Sequence, residues 1–192
     1  MKTLKEIIQE KLNRTESSLM LEKLKISSKS KVNEKIKPED AAALKREVLK
    51  KIINKETDFN DIDISAVKDL SHLFEDQDIS EIDISEWDVS HVESMRAMFQ
   101  SCKYLKTCGD LGKWDVGNVL DMSWMFNGCQ CLKNIGDLQN WEINDTKMKC
   151  AFQGCKRLKS LGYIKHWRPK EPNYDIFTGT DIPYKDLPFK KI

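Results

Sequence analysis

Apolar and polar positions of this chain repeat with a period of about 26 residues, four times between Asn60 and Arg168 and once more in shortened form. We call the equivalent positions of successive repeats a column. One column contains Phe74, Phe99, Phe126, Phe152 and Phe177, and another contains Trp87, Trp114, Trp141 and Trp167. A fixed period of this size is typical of stacked units that bury their apolar faces against one another. The pattern therefore predicts a long surface rather than a closed pocket.

Within one unit, the apolar residues lie three and four positions apart, at Val116, Val119, Met122, Met125 and Phe126. This spacing is typical of one face of a helix. Each unit is therefore predicted to contain a short strand, a turn that carries the tryptophan, and a short helix. Stacking would align the strands into a parallel sheet. We interpret the tryptophan and methionine columns as core rather than as a cofactor site.

The residues before the repeats predict two helices. Leu4, Ile7, Ile8 and Leu12 lie on one helical face, and a basic, polar break follows at residues 27–31. The second helix runs from Pro38 to Asn54, with the apolar stripe Ala41, Leu44, Val48 and Ile52. The predicted organisation is an amphipathic helix and linker at 1–30, a capping helix at 31–57, the repeat solenoid at 58–168, and a C-terminal cap or tail at 169–192.

Two blocks, 87–102 (WDVSHVESMRAMFQSC) and 114–129 (WDVGNVLDMSWMFNGC), resemble repeats of the BspA-like leucine-rich repeat family. The resemblance covers about residues 60–168 and is closest to the branch with W-D-V-S-x-V-x-x-M-x-x-M-F-x-x-C-x-x-L units. It implies an α/β fold, a right-handed strand–helix solenoid of four to five coils, here with an α-helical N-terminal cap. It also implies a role in binding proteins or surfaces, and it carries no catalytic residue to this chain.

The sequence contains no motif of a common enzyme class: there is no phosphate loop, dinucleotide fingerprint, zinc-protease motif or nucleophile elbow. The six cysteines show no C-x-x-C spacing, and the three histidines fall in different columns. We therefore expect no catalytic residue, no metal and no cofactor. Cys102, Cys129 and Cys155 share one column, and Cys108 occupies a core column. Cys131 and Cys150 are expected to be partly exposed.

Charge is unevenly distributed, although the net charge is only +1. Residues 56–100 carry 13 acidic and 2 basic side chains, whereas residues 101–168 carry 6 acidic and 11 basic ones. Such asymmetry steers charged partners. The candidate partner-binding residues are the expected exposed positions of the strand side: Tyr104, Lys106, Thr107, Lys133, Asn134, Arg157, Lys159 and Ser160.

A protein partner is the favoured interpretation, because nucleic-acid grooves usually interleave aromatic with basic residues and only Tyr104 and Tyr163 are suitably placed here. Two alternatives remain: a nucleic-acid-associated factor that uses the basic C-terminal coils, and an assembly component that forms a homo-oligomer through residues 1–30. The chain shows no apolar run of membrane-spanning length and no apolar signal region, so we expect a cytoplasmic protein without a membrane partner.

Overall fold

The part of the chain that the structure describes contains one α-helix, α1, which spans Ala41–Ile53. The computed structural model describes residues 35–171 and 174–188, all within one compact unit, Lys35–Ile192. Helix α1 lies inside the segment predicted as helical, but it begins after Pro38, because Asp40 is its N-cap and accepts the Ala43 N–H at 2.7 Å. The predictions for residues 1–30, including the first helix and the oligomer, lie outside the described residues.

Among the described residues, the other helical elements are four short 3₁₀ helices, at Leu111–Lys113, Leu138–Asn140, Tyr174–Ile176 and Tyr184–Asp186. No strand occurs in residues 35–171 and 174–188, where seven isolated parallel bridges are found instead. The predicted α/β fold, a right-handed strand–helix solenoid with an α-helical N-terminal cap, is therefore wrong. The repeats are coils of consecutive turns, without a sheet and without a helix longer than one turn.

The backbone of the segment predicted as a short helix explains this difference. The N–H groups of Met122, Trp124 and Phe126 donate to carbonyl groups of the next coil at 2.7–2.8 Å, not to their own chain four residues back. Trp124 also has a φ of 60°, which an α-helix does not contain. The apolar spacing of three and four thus arises from successive tight turns that direct every buried side chain inward.

Successive coils stack in register. The parallel bridges join residues 24–27 positions apart, and one series runs through Asp69, Ser94, Asp121 and Lys147. Inside the stack, the rings from Phe74 to Phe177 follow one another at centroid distances of 4.9–5.7 Å. This distance matches the usual separation of hydrogen-bonded neighbouring strands, about 4.8 Å. Each coil therefore advances the column by about one such step.

The core consists of these rings and the columns beside them. The prediction that the four repeat tryptophans are core residues is confirmed, since none is more than 4% exposed. The thiols of Cys102, Cys129 and Cys155 donate to phenylalanine carbonyl groups of the preceding coil at 2.9–3.1 Å. Burial raises the pKa of Cys102 and Cys155 to about 12. Cys131 is partly exposed as predicted, but Cys150 is buried.

Aspartate turns line one edge of the stack. Oδ1 of Asp110 accepts the N–H of Gly112 at 2.9 Å and so begins the 3₁₀ helix Leu111–Lys113. In the next coil Gly136 lies directly against this carboxylate with a φ of +92°. The carboxylate therefore occupies the space that a side chain at position 136 would need.

Within residues 35–171 and 174–188, no helix has the length and apolarity that a membrane crossing requires.

Candidate binding groove

Three lysines form a column on the surface of the stack. Lys106, Lys133 and Lys159 lie 27 and 26 positions apart, and in the preceding coil Glu81 bridges to Thr107, the residue after Lys106. The register is fixed by the backbone, because the Lys133 N–H donates to the Lys106 carbonyl at 3.0 Å. We call these three lysines the basic column. Like charges are thus held at successive steps of the stack.

The members of the basic column differ in their ion pairs. Lys106 pairs with Glu81 at 3.2 Å, and both side chains are about half exposed. Neither Lys133 nor Lys159 forms an ion pair or a side-chain hydrogen bond among the described residues. Exposed pairs contribute little stability, but they do neutralise charge locally. The positive charge of the column is therefore concentrated at Lys133 and Lys159.

An open cavity of about 510 Å³ lies beside these two lysines and is lined by Lys133, Arg157, Lys159 and Asp181. We call it the basic groove. Its volume is within the range of small-ligand sites, roughly 300–1,000 Å³. Arg157 belongs to the column of Tyr104 and Cys131, two positions before the basic column in each coil. The groove therefore brings together three of the predicted binding residues, and they carry three positive charges.

The other predicted residues lie outside the groove lining. Lys106 is paired with Glu81, and Tyr104 is 59% exposed but belongs to an earlier coil than Lys133. Thr107, Asn134 and Ser160 share one column and have a structural role instead. The side-chain oxygen of each accepts a backbone N–H two residues further along, at 2.9–3.2 Å. Such local bonds stabilise turns. These three side chains are therefore already engaged.

Asp181 is the groove residue that the sequence did not predict. It follows the last recognisable repeat, in the segment interpreted only as a C-terminal cap or tail, so no column indicated its position. Its backbone N–H donates to the carbonyl of Leu158 at 3.1 Å, which holds it beside the coil that carries Arg157 and Lys159. A carboxylate thus lines the groove beside the three cations, and the described lining keeps a positive net formal charge.

A second cationic cluster surrounds the partly exposed Trp124. The guanidinium of Arg96 lies 4.2 Å from the ring centroid and the ammonium of Lys149 lies 5.6 Å from it. These two residues come from the coils before and after Trp124, so the ring is held between them. Arg96 also approaches the Asp121 carboxylate at 3.7 Å. The cations of this cluster already have partners, unlike those of the basic groove.

Metal ligands do not cluster in the part of the chain that the structure describes: no group of three or more histidine, cysteine or acidic side chains is arranged to hold an ion. The chemistry that the described site offers is therefore that of fixed cations around an open cavity. Guanidinium and ammonium groups donate hydrogen bonds to carboxylates and phosphates. Both kinds of anion are candidate ligands on this basis.

Comparison with known proteins identifies a family but no activity. A family model described as "Mycoplasma protein of unknown function, DUF285" matches residues 44–167. No curated protein and no solved structure matches the chain. This description mentions neither leucine-rich repeats nor BspA-like proteins, so that resemblance stays a prediction. Because the match covers about two thirds of the 192 residues, the chain belongs to the family described as "Mycoplasma protein of unknown function, DUF285".

Proposed function

We propose that this protein is a non-enzymatic binding module whose basic groove takes an acidic segment of a protein partner. The observation that carries the proposal is the set of three cations, Lys133, Arg157 and Lys159, around one open cavity, where none of them forms an ion pair with a described residue. The family description assigns no role, and this geometry is therefore the support for the proposal.

Comparison with the acidic coils supports the proposal. There, lysines meet carboxylates of the neighbouring coil: Lys68 pairs with Glu93 at 2.8 Å, and Lys106 pairs with Glu81. The coil stack thus allows ion pairs between oppositely charged side chains of neighbouring coils. In the groove, the basic column has lysine in two successive coils, and no such pair forms. Cations that lack an internal partner are available to an external anion and increase its rate of association.

The aromatic residues favour a protein partner over the nucleic-acid alternative. Single-stranded nucleic acids are bound largely by stacking of bases on free aromatic faces. Trp124 has a cation on each side, and the ring of Tyr163 is already stacked on His166 at 6.0 Å. Tyr104 is exposed, but it does not line the groove. None of the described residues that line the groove is aromatic.

A cytoplasmic location is part of the same proposal. All six cysteines are free thiols, and five of them are buried. Proteins that keep this many thiols reduced are typical of reducing compartments. Oligomerisation through residues 1–30 stays a prediction.

The test is affinity capture from a host lysate with three baits: the wild-type protein, Lys133→Glu with Lys159→Glu, and Lys147→Glu with Lys165→Glu. The third bait is the matched control, because it changes the net charge equally at exposed lysines outside the groove. We expect a discrete protein that the wild type and the control retain and that the groove variant loses, with or without nuclease treatment.

Two outcomes contradict the proposal. Equal capture of the same protein by the groove variant shows that the groove is not the interface. Capture that disappears on nuclease treatment supports the nucleic-acid alternative instead. Thermal unfolding of the three baits serves as the control for folding, since surface substitutions of this kind should change stability by no more than about 0.5 kcal/mol.

A further inference from the structure

Asp181 shares the basic groove with three cations but pairs with none of them. Asp181 lines the cavity together with Lys133, Arg157 and Lys159, and no ion pair or side-chain hydrogen bond joins it to a described residue. Its surroundings differ in this respect from those of the acidic residues in the earlier coils, several of which pair with a lysine. Its position therefore requires a separate explanation.

The backbone around Asp181 is anchored on both sides. Its own N–H donates to the Leu158 carbonyl at 3.1 Å, and the hydroxyl of Thr180 donates to the Phe177 carbonyl at 2.9 Å. The next residue, Ile182, is only 8% exposed and belongs to the core cluster. These contacts hold the backbone of Asp181 in place at the edge of the groove, so its side chain remains within reach of a ligand there.

We propose that Asp181 is a specificity-determining residue, which selects peptides with separated acidic side chains and rejects continuous polyanions such as nucleic acid. This inference rests on the proposed function of the groove. A ligand that contacts Lys133, Arg157 and Lys159 together must also pass close to Asp181, because all four residues line the same cavity. The chemical groups that the ligand presents at that point decide whether it is accepted.

A nucleic acid strand carries a negative charge on every nucleotide, so a strand that fills the groove brings a phosphate close to the Asp181 carboxylate. Like charges at such a contact oppose binding. A peptide places acidic side chains only at chosen positions. Between these positions the peptide offers backbone N–H groups, serine hydroxyls or amides, and each of these can donate a hydrogen bond to the Asp181 carboxylate. The same arrangement therefore attracts separated carboxylates and disfavours an unbroken series of phosphates.

The experiment compares two probes by fluorescence anisotropy. One is a labelled peptide in which glutamates alternate with pairs of serine and glycine, and the other is labelled oligothymidylate of about twelve nucleotides, within the usual site size. The proteins are the wild type, Asp181→Asn and the matched control Asp145→Asn. Asp145 is an exposed aspartate outside the groove lining whose φ of 60° suits asparagine equally well.

The wild type is expected to bind the peptide more tightly than the oligonucleotide. Asp181→Asn should strengthen oligonucleotide binding about fivefold. This is the change in dissociation constant that corresponds to removing the repulsion between two like charges about 4 Å apart in water. Peptide binding should change by no more than about twofold, because the peptide already places a neutral group there. Asp145→Asn should leave both dissociation constants unchanged.

The proposal about Asp181 is overturned if Asp181→Asn strengthens the binding of both probes equally, or strengthens the binding of neither. The charge-reversal variant Lys133→Glu with Lys159→Glu separates this failure from that of the proposed function. If that variant binds the peptide as the wild type does, the groove is not a binding site and the role of Asp181 fails with it. If charge reversal weakens peptide binding while Asp181→Asn leaves the preference between probes unchanged, only the role of Asp181 is refuted.

Discussion

Replacement of Gly136 by alanine is the sharpest test of how neighbouring coils fit together. Gly136 has a φ of +92°, and a Cβ atom built there overlaps Oδ1 of Asp110 in the preceding coil. Asp110 has little freedom to retreat, because the same oxygen accepts the N–H of Gly112 at 2.9 Å. The substitution therefore imposes an unfavourable backbone conformation and also displaces a hydrogen-bonded carboxylate.

The expected loss of stability follows from these two effects. A residue with a side chain in the left-handed region costs about 1–2 kcal/mol. Displacing Asp110 removes a hydrogen bond to a charged acceptor, which contributes about 1.5–3 kcal/mol. Because the partly exposed edge reduces the second contribution, we expect Gly136→Ala to lower the free energy of unfolding by about 3 kcal/mol.

Gly154→Ala is the matched control. Gly154 has a similar φ, +78°, but the nearest atoms to a Cβ there are those of Gly128 at 3.5 Å, an ordinary contact distance. This variant should lose only the backbone contribution, about 1–2 kcal/mol. Urea unfolding followed by tryptophan fluorescence measures both variants. Asp110→Ala combined with Gly136→Ala should cost less than the sum of the two single changes, because the overlap is then absent.

Two results would contradict the expected overlap: equal destabilisation by Gly136→Ala and Gly154→Ala, or simple additivity in the double variant. Equal losses would mean that only the backbone conformation matters and that the carboxylate moves aside freely. Additivity would mean that Asp110 and Gly136 are not in contact. Either result would remove the claim that the aspartate of one coil determines the residue allowed in the next.

Three further predictions concern the core, the thiols and the response to acid. In urea unfolding, Trp141→Phe should lower the free energy of unfolding by about 1 kcal/mol more than Trp114→Phe. The reason is that Nε1 of Trp141 donates to a carbonyl at 2.9 Å, whereas the buried Nε1 of Trp114 has no hydrogen-bond partner. Equal losses of stability would contradict this prediction. Titration of the native protein with a disulfide reagent should modify one thiol rapidly, and Cys131→Ser should abolish that reaction, because the other five cysteines are buried. Hydrogen bonds from the side chain and backbone N–H of Ser90 lower the pKa of Asp88, so its stabilisation is present above the unfolded-state pKa and lost as the pH falls through the folded-state value. The free energy of unfolding should fall below about pH 4, and this fall should be smaller in Ser90→Ala than in the wild type. An identical dependence of stability on pH in both proteins would contradict the prediction.

The repeat and its buried columns could be predicted from the sequence, because side chains at equivalent positions of stacked units face the same interior. The tryptophan column illustrates this, since its period alone identified residues that the structure buries. The secondary structure could not be predicted in the same way. Apolar spacings of three and four are shared by an α-helix and by successive turns, and the local sequence around Met122 and Trp124 does not reveal that their N–H groups bond to the next coil.

The candidate site was predictable to a similar degree. Lys133, Arg157 and Lys159 were found because they occupy exposed columns of regular repeats, where register gives spatial proximity. Asp181 was missed because it follows the point at which the repeat decays, and it is held by contacts to Leu158 and by the burial of Ile182 that no repeat column indicates. Thr107 belongs to a well-predicted column, yet its hydroxyl accepts the Gly109 N–H, an engagement that column position does not indicate.

The in-register stacking of the phenylalanine rings has a consequence for how such a protein changes over generations. Each unit occupies one step of 4.9–5.7 Å and contacts the same columns in the units on both sides. Unequal recombination that duplicates or removes a whole unit therefore preserves every column, whereas a shorter insertion shifts all later residues out of register. We expect the length of the binding surface, and with it the number of cations available to a ligand, to vary among relatives in whole units.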